Sequence, residues 1–365
     1  MKKLILFTIL YSSSFLLAEG ISGVTYFGYS MYNTNTDRED DKDRGFELKR
    51  VYLTYKKKIS DKTSFKFQAD MQNKNQEEET AYYMYIKTAK LDLKIFKETT
   101  LTIGMQGMNM FNIAEKTWGN RFLSKSTMDI YQWSASSDLG IGLSQTFGDV
   151  FTSLLLTNGE GYKSTSQDSN EIFSFQAVYG EKRLDNNNGF NLGGVFSMIN
   201  YETEAGIADD NGKYTTKPKY KSARVMGVFV GFSGFGARVG FDYNIGTDLA
   251  LEAIEDNDDT DAIDQTVFYG KSSTLMSFYT NYNLAFIKGL SIMVRYDSLD
   301  PGVEDNQLTD GDGMDESVED NITSIIAGLI YKCTDGVTVS PNIVQTTLGS
   351  INPVMNINLS FQFQF

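Results

Sequence analysis

The sequence contains no histidine and only one cysteine, Cys333, among its 365 residues. The absence of histidine removes the commonest general base and the commonest transition-metal ligand. With a single cysteine as well, zinc, haem and cysteine-nucleophile enzymes are disfavoured, and no disulfide can form within the sequence. We therefore predict that the chain is not an enzyme and holds no cofactor or resident metal.

Long apolar runs and excess positive charge are also missing. No segment after the first eighteen residues approaches the roughly 18 consecutive apolar residues of a transmembrane helix. The chain has 33 basic and 47 acidic side chains, a formal net charge of −14. A nucleic-acid binder needs clustered positive charge to displace counterions, so the composition predicts no nucleic-acid partner.

The first residues have the pattern of a secretory signal peptide. Lys2 and Lys3 precede an apolar stretch from Leu4 to Leu10, and the small residue Ala18 follows. The apolar stretch is too short to span a bilayer as a helix. We predict a signal peptide over residues 1–18 and a single exported domain over residues 19–365. A buried helix or strand at the N-terminus is the alternative.

Four prolines, 32 glycines and many aromatic residues accompany a strong period of two. Every second residue is apolar or aromatic, and that face carries no charge, over Phe65–Met71, Phe173–Tyr179, Phe235–Tyr243, Leu290–Tyr296 and Met355–Phe365. Such alternation is typical of strands with one apolar face. We predict about sixteen strands, over 22–33, 45–57, 62–72, 80–94, 99–106, 138–147, 149–157, 170–182, 189–201, 219–232, 235–245, 271–285, 289–297, 320–333, 336–347 and 354–365.

The connections between these strands alternate between long and short. Short periplasmic turns and long extracellular loops are typical of outer-membrane barrels. A sheet in a bilayer must close to pair its backbone groups, and barrels of 16–18 strands enclose a water-filled lumen. The predicted fold is all-β, a single transmembrane antiparallel up-and-down barrel. Its predicted function is a channel for passive diffusion of ions and small hydrophilic solutes. A soluble β-sandwich, with its apolar face buried internally, is the competing fold.

The last strand ends in phenylalanine, with Phe361, Phe363 and Phe365 at alternate positions. This pattern resembles the C-terminal assembly signal of outer-membrane proteins. The resemblance implies insertion by the barrel-assembly machinery into the outer membrane of a Gram-negative bacterium. Outer-membrane lipid and lipopolysaccharide would then surround the barrel.

A second resemblance lies between Gly104 and Tyr162. Its motifs are Gly104-Met-Gln-Gly107, Glu115, Trp118-Gly-Asn-Arg121, Met128-Asp129, Ser137-Asp-Leu-Gly-Ile141 and Asn158-Gly-Glu-Gly-Tyr162. They resemble the general porins of Gram-negative bacteria and the phosphate-selective porins O and P. The resemblance implies a homotrimer whose third outer loop folds inward as a constriction. Residues 107–137 are the longest segment without alternation, and they are rich in aromatic side chains, which agrees with an ordered loop inside the lumen.

Selectivity in such a pore depends on its width and on the charges that line it. The charged candidates on the constriction loop are Glu115, Lys116, Arg121, Lys125 and Asp129. The charged candidates on the polar faces of the strands are Lys66, Asp70, Arg224, Arg238, Asp242, Arg295 and Asp297. Together they predict a transverse field across the narrow zone. For each of them, a structural ion pair in a solvated lumen is the alternative.

The ion preference is open from the sequence. Segments 246–270 and 298–319 each hold eight acidic residues and no basic one, which favours cations at the mouth. The resemblance implies an anion-selective or phosphate-selective porin instead.

The acidic segments also offer weak calcium candidates, Asp256, Asp258, Asp310 and Asp312. Neither cluster has the full helix-loop-helix pattern, so a solvated acidic rim is the favoured interpretation and we predict no metal site. A surface-binding protein, as an adhesin or with calcium-bridged loops, is the alternative function. An outer-membrane phospholipase is disfavoured because it would need a Ser–His or similar pair.

Overall fold

The computed structural model describes residues 20–33, 44–76, 79–164, 170–204, 207–208, 214–216, 219–249, 270–302, 321–349 and 353–365. Sixteen antiparallel strands in this part of the chain form one closed barrel, as predicted. The barrel strands are β1 (Ile21–Asn33), β2 (Arg44–Lys58), β3 (Thr63–Gln76), β4 (Glu79–Phe96), β5 (Thr99–Gly107), β6 (Ser137–Phe147), β7 (Val150–Thr157), β8 (Ile172–Gly180), β9 (Gly189–Glu204), β12 (Lys219–Gly234), β13 (Ala237–Thr247), β14 (Ser272–Asn283), β15 (Leu290–Asp300), β16 (Ile322–Thr334), β17 (Val337–Leu348) and β18 (Val354–Gln364).

The remaining elements lie in the connections. The short strands β10 (Ile207–Ala208) and β11 (Tyr214–Thr216) pair with each other between β9 and β12. Helices α1 (Asn112–Trp118) and α2 (Thr127–Ile130) lie between β5 and β6. Among the described residues, no helix has the length and apolar character needed to cross a membrane. The predicted signal peptide, residues 1–18, and the calcium candidates Asp256, Asp258, Asp310 and Asp312 lie outside the described residues.

The period of two in the sequence determines which side chains face the lumen. In β13, Asp242 and Asn244 are buried on the inner face, whereas Tyr243 between them is exposed on the outer face. The pairing of β12 with β13 and of β13 with β14 keeps inner residues opposite inner residues. Phe229, Asp242 and Ser277 therefore lie side by side on the inner wall. A slip of one residue would exchange the two faces, so the apolar outer face specifies the register.

The two ends of the barrel differ in their connections. The start of β1, the end of β18 and the short connections between β2–β3, β4–β5, β6–β7, β8–β9, β12–β13, β14–β15 and β16–β17 lie at one end, called here the turn end. The other end, called the loop end, carries the long connections. The β12–β13 turn corrects the predicted start of a strand at Phe235, because Phe235 has a φ of +55° and belongs to the turn.

The barrel closes between its first and last strands. Gly23 and Phe365 exchange two backbone hydrogen bonds of 3.1 Å, and the ring of Phe27 stacks on that of Phe361 at 4.6 Å. A Cβ at Gly23 would lie 2.3 Å from the Phe365 ring, so the ring packs over this glycine and would have to move to admit a side chain there. The terminal aromatic pattern therefore takes part in closing the barrel.

The lumen is partly filled by the connection between β5 and β6, residues 108–136, called here the third loop. Its apolar side chains pack in two clusters against the inner wall. The wall side chains in these clusters are Val178, Val195, Val225, Phe229, Leu275, Leu299, Ile322, Met293, Ile326, Ile330, Val344, Tyr279, Tyr26 and Tyr52. Most belong to β8–β17, so that side of the lumen is a packed core, and an open space of about 550 Å³ is left beside β2–β6 near the turn end.

Candidate functional site: a constriction in the lumen

The third loop enters the lumen from the loop end and turns sharply after α1. Gly119 ends that helix with a φ of +69°, a conformation that favours glycine. The Trp118 carbonyl at this helix end accepts a hydrogen bond of 2.9 Å from Arg238 of β13. A Cβ at Gly119 would lie 2.7 Å from the Arg238 guanidinium, so the helix end packs directly on the wall.

Further hydrogen bonds join the loop backbone to the wall on the core side. Tyr279 of β14 donates from its hydroxyl to the Ala114 carbonyl at 2.9 Å. Arg295 of β15 donates from Nη1 to the Lys125 carbonyl at 2.6 Å. The Arg295 guanidinium also lies 5.0 Å from the Trp118 ring centre, within the range of a cation–π contact. These contacts fix the loop against β13–β15.

The wall residues that hold the loop include four that we predicted to line the pore. Arg295 and Asp297 are buried as an ion pair of 2.8 Å, and Asp242 is buried where it accepts a hydrogen bond from Thr127 of α2. Arg238 contacts the helix end described above. All four lie on the inner face of the barrel, where the third loop covers them. They position the loop and do not line open space.

Arg224 is a second correction. It lies on β12 on the same face as Met226, Val228 and Val230, whose side chains are exposed on the outside of the barrel. Arg224 therefore faces outward, near the loop end, and does not line the pore.

The opposite side of the third loop presents charge to the open half of the lumen. Arg121 donates from Nη1 to both Glu115 and Asp129, the latter at 2.8 Å. Burial alone raises the pKa of Asp129, but the charges of Arg121 and Lys125 more than offset it and hold this pKa well below its ordinary value. The predicted loop residues Glu115, Arg121, Lys125 and Asp129 thus form one electrostatic group around the Arg121 guanidinium.

A matching group lies on the facing wall, around Asp70 of β3. Asp70 contacts Arg50 Nε at 3.5 Å and Lys87 Nζ at 3.4 Å, and it accepts a hydrogen bond of 2.7 Å from the Tyr162 hydroxyl. Lys66, two residue pairs farther toward the turn end, also faces the lumen. The prediction that Lys66 and Asp70 face the lumen agrees with this arrangement.

Tyr52 connects the two groups. Its hydroxyl lies 3.0 Å from Arg50 Nη1, 3.5 Å from Lys87 Nζ and 3.4 Å from Arg121 Nε. Three cationic side chains from two strands and the third loop therefore converge on one hydroxyl. The lumen is narrow here, since the third loop reaches across it to β2.

The connection after β7, called the fourth loop, adds a third side to this constriction. Gly159 and Gly161 have φ values of +99° and +73°, and the Gly159 N–H donates to Asp138 Oδ2 at 2.6 Å. This bend brings Tyr162 to Asp70 and places Lys163 near the Tyr85 ring, 5.9 Å from its centre. Sequence analysis did not select Arg50, Tyr52, Lys87, Tyr162 or Lys163.

A row of lysines lies on the inner wall between the constriction and the turn end. Lys56 of β2, Lys66 of β3 and Lys90 of β4 are directly opposite one another in adjacent strands. Like charges in such cross-strand positions repel and destabilise the sheet. Lys90 is also paired with Asp92 at 2.9 Å, so the row creates a local positive potential chiefly through Lys56 and Lys66.

Comparison with known proteins identifies the family of this sequence. A sequence model of the family described as phosphate-selective porin O and P matches residues 24–213, which is over half of the chain. No curated protein sequence matches the chain.

Solved structures match the barrel over nearly its whole length. OmpF of Salmonella typhi, in complex with daunomycin, is 11% identical with a TM-score of 0.61, over 94% of this chain and 97% of OmpF. The outer membrane channel DcaP of Acinetobacter baumannii is 11% identical with a TM-score of 0.60, over 94% and 96% of the two chains. The trimer form of OmpT of Vibrio cholerae is 9% identical with a TM-score of 0.57, over 94% and 98%. At these identities the likeness concerns the fold.

Proposed function

Because this chain belongs to the phosphate-selective porin O and P family, we propose that its third and fourth loops and the inner wall of β2–β4 form the constriction of a porin. The protein is an outer-membrane porin of a Gram-negative bacterium, a channel for passive diffusion of ions and small hydrophilic solutes. The observation that carries this conclusion is the closed sixteen-stranded barrel, with an open, charged half of the lumen beside the third loop. Its turn end faces the periplasm.

Other features of this porin follow from the same proposal. The family consists of porin channels and not of enzymes, and we assign no catalytic activity to this chain. A homotrimer is supported by the trimer form of OmpT. The export of the chain would remove residues 1–18, and Phe361, Phe363 and Phe365 would be read by the barrel-assembly machinery. Arg224 would lie among the phosphates of outer-leaflet lipid or lipopolysaccharide.

A preference for small anions is favoured by the charges of the described lumen. The row Lys56, Lys66 and Lys90 remains positive overall, because Asp92, which pairs with Lys90 at 2.9 Å, offsets one of its three charges. The constriction has five cationic side chains, Arg50, Lys87, Arg121, Lys125 and Lys163. The carboxylates that they contact or lie near are Asp70, Glu115 and Asp129, so within this group cations outnumber carboxylates. Fixed positive charge raises the local concentration of anions. The positive charge inside the lumen therefore acts against the cation preference that the acidic outer segments suggest.

The test is a planar-bilayer recording of the purified, folded protein. We expect discrete conductance steps, and in a salt gradient a reversal potential of the sign given by anion permeation. Absence of steps from protein that shows the heat-dependent gel shift of a closed barrel would contradict the channel. A reversal potential of the opposite sign would leave the channel in place and overturn the anion preference.

Lys163 gives this preference a pH dependence. Burial within the barrel mouth and the charges of Lys125 and Arg50 lower the pKa of Lys163 to about 8. The side chain is positive below that pH and neutral above it, so we expect the anion preference to decrease as the pH rises through about 8. Reversal potentials at a series of pH values measure the change. Lys163→Arg keeps its charge over this range and should reduce the step; an unchanged step in that variant would assign it to another group.

A further inference from the structure

The turn between β8 and β9, residues 181–188, differs from an ordinary surface turn. Leu184 in its middle is only 1% exposed, although most turn residues at a barrel end are solvated. Ile287, an aliphatic side chain in the corresponding β14–β15 turn, is 43% exposed. The β8–β9 turn therefore folds back into the lumen from the turn end.

Within the lumen, Leu184 packs beside Gly231 of β12. A Cβ at Gly231 would lie 2.6 Å from Thr117 Cγ2 and 2.8 Å from Leu184 Cδ1. Thr117 belongs to α1, so the helix of the third loop and the β8–β9 turn pack together over this glycine. The absence of a side chain at Gly231 is what allows both to reach the wall.

A hydrogen-bonded side chain joins the same two segments. Asn191 of β9 is fully buried, and its amide nitrogen lies 2.9 Å from the Glu181 carbonyl and 3.2 Å from Thr117 Oγ1. Asn191 thus contacts the first residue of the turn and the last full turn of the helix at once. Buried amide contacts of this kind restrict the relative position of the groups they join.

Charged groups of the turn also act on the pore-facing end of α1. Arg183 and Asp185 form a bidentate pair with two contacts of 2.9 Å. Burial, and after it the positive charge of Arg183, lower the pKa of Lys116, whereas Asp185 acts in the opposite direction. Lys116 therefore lies within electrostatic reach of the turn.

We propose that the β8–β9 turn supports α1 from the periplasmic side, with Leu184 as a positioning residue that sets where Glu115 and Lys116 stand in the pore. This inference rests on the proposed channel function. The third loop is then held between two layers, the wall of β13–β15 on one side and the β8–β9 turn beneath. Arg183 and Asp185 add their charges to the periplasmic exit beside Lys116.

The experiment compares Leu184→Ala with Ile287→Ala as a matched control in a solvated turn. Both are made in a background with Cys333→Ser and Lys116→Cys, and a cationic thiol reagent is added from the periplasmic side during bilayer recording. We expect modification of the cysteine to be several-fold faster in Leu184→Ala and unchanged in Ile287→Ala. Leu184→Met, which conserves the volume, should restore the original rate.

A second readout separates positioning from general loosening of the barrel. In channels with the natural Lys116, the shift of reversal potential caused by Lys116→Gln should shrink when Leu184→Ala is also present. In channels that still conduct, Leu184→Ala could leave both the modification rate and the Lys116→Gln shift unchanged. That result would overturn the role of the turn but not the channel function. Absence of conductance from the folded parent protein would overturn the channel function on which it rests.

Discussion

Replacing Arg295 by methionine is expected to give a noisier channel with larger conductance and a less stable barrel. The substitution removes the hydrogen bond to the Lys125 carbonyl and leaves Asp297 buried without its cation. Breaking a buried ion pair by removing one partner costs about 3–5 kcal/mol. The third loop should then detach intermittently from β15, which single-channel current noise and the temperature of the gel shift measure.

The double variant Arg295→Met and Asp297→Leu separates these two effects. Replacing a whole buried pair by apolar side chains is often neutral for stability, so the gel-shift temperature should return toward that of the parent. The current should stay noisy, because the contact with the Lys125 carbonyl is still missing. Quiet current in both variants would contradict the assignment of Arg295 as a residue that positions the loop.

Replacing Arg121 by glutamine is expected to change the ion selectivity more than any other single substitution in the constriction. It removes the one guanidinium that contacts both Glu115 and Asp129, whose negative charges then face the open lumen. Even in bulk water, two unit charges about 4 Å apart have an interaction energy of about 1 kcal/mol. The permeability ratio should therefore shift toward cations by at least about fivefold. Reversal potentials in a salt gradient measure this shift.

Two further variants test the cause of that shift. Arg121→Lys keeps the charge and should leave the sign of the reversal potential unchanged. Adding Glu115→Gln and Asp129→Asn to Arg121→Gln removes the exposed carboxylates and should bring the selectivity back toward that of the parent. If this triple variant remained cation-selective, the carboxylates would not be the cause.

The strand pattern was predictable because the membrane imposes it. Outward positions within the bilayer are mostly apolar, so alternation extends along most of each strand and the predicted spans lie close to the observed ones, as for 219–232 against Lys219–Gly234. The closed barrel of sixteen strands is confirmed. The third loop lies inside the lumen, and its aromatic content was the signal for this placement, since Trp118, Phe122 and Trp133 are buried.

The pore wall was predicted less well because alternation assigns a side chain to a face and says nothing about what covers that face. Arg295 and Asp242 were placed on the inner face correctly, yet the third loop lies over them. A signal was available in the inner face itself. β16 carries Ile322, Ile326 and Ile330 on its inner side, and an apolar inner face in a water-filled barrel indicates that something packs against it.

Two of the missed residues of the constriction, Arg50 and Lys87, lie beside β-bulges. The pairing of β2 shifts at Lys49, and that of β4 shifts at Lys87, where the outward apolar positions change from even to odd numbers. A strict period of two cannot continue through such a shift. In β4 the outward apolar residues change from even numbers, ending at Ile86, to odd numbers, beginning at Ala89. This change in the sequence indicates that Lys87 between them lies on the inner side. Arg224 was misassigned by a simpler error, since Met226 and Val228 already define its face as the outer one.

The division of the lumen has a consequence for how this protein can change. Substitutions on the side of β8–β17 alter a close-packed interior, where a single methylene group affects stability. Substitutions on the inner face of β2–β4 near the turn end alter charges that border water, where a pair of side chains contributes little to folding, whereas the Arg50–Asp70 pair at the constriction is buried and must be kept. Solute preference can therefore be re-engineered on three adjacent strands, one charge at a time, while the other side of the same barrel preserves the shape of the molecule.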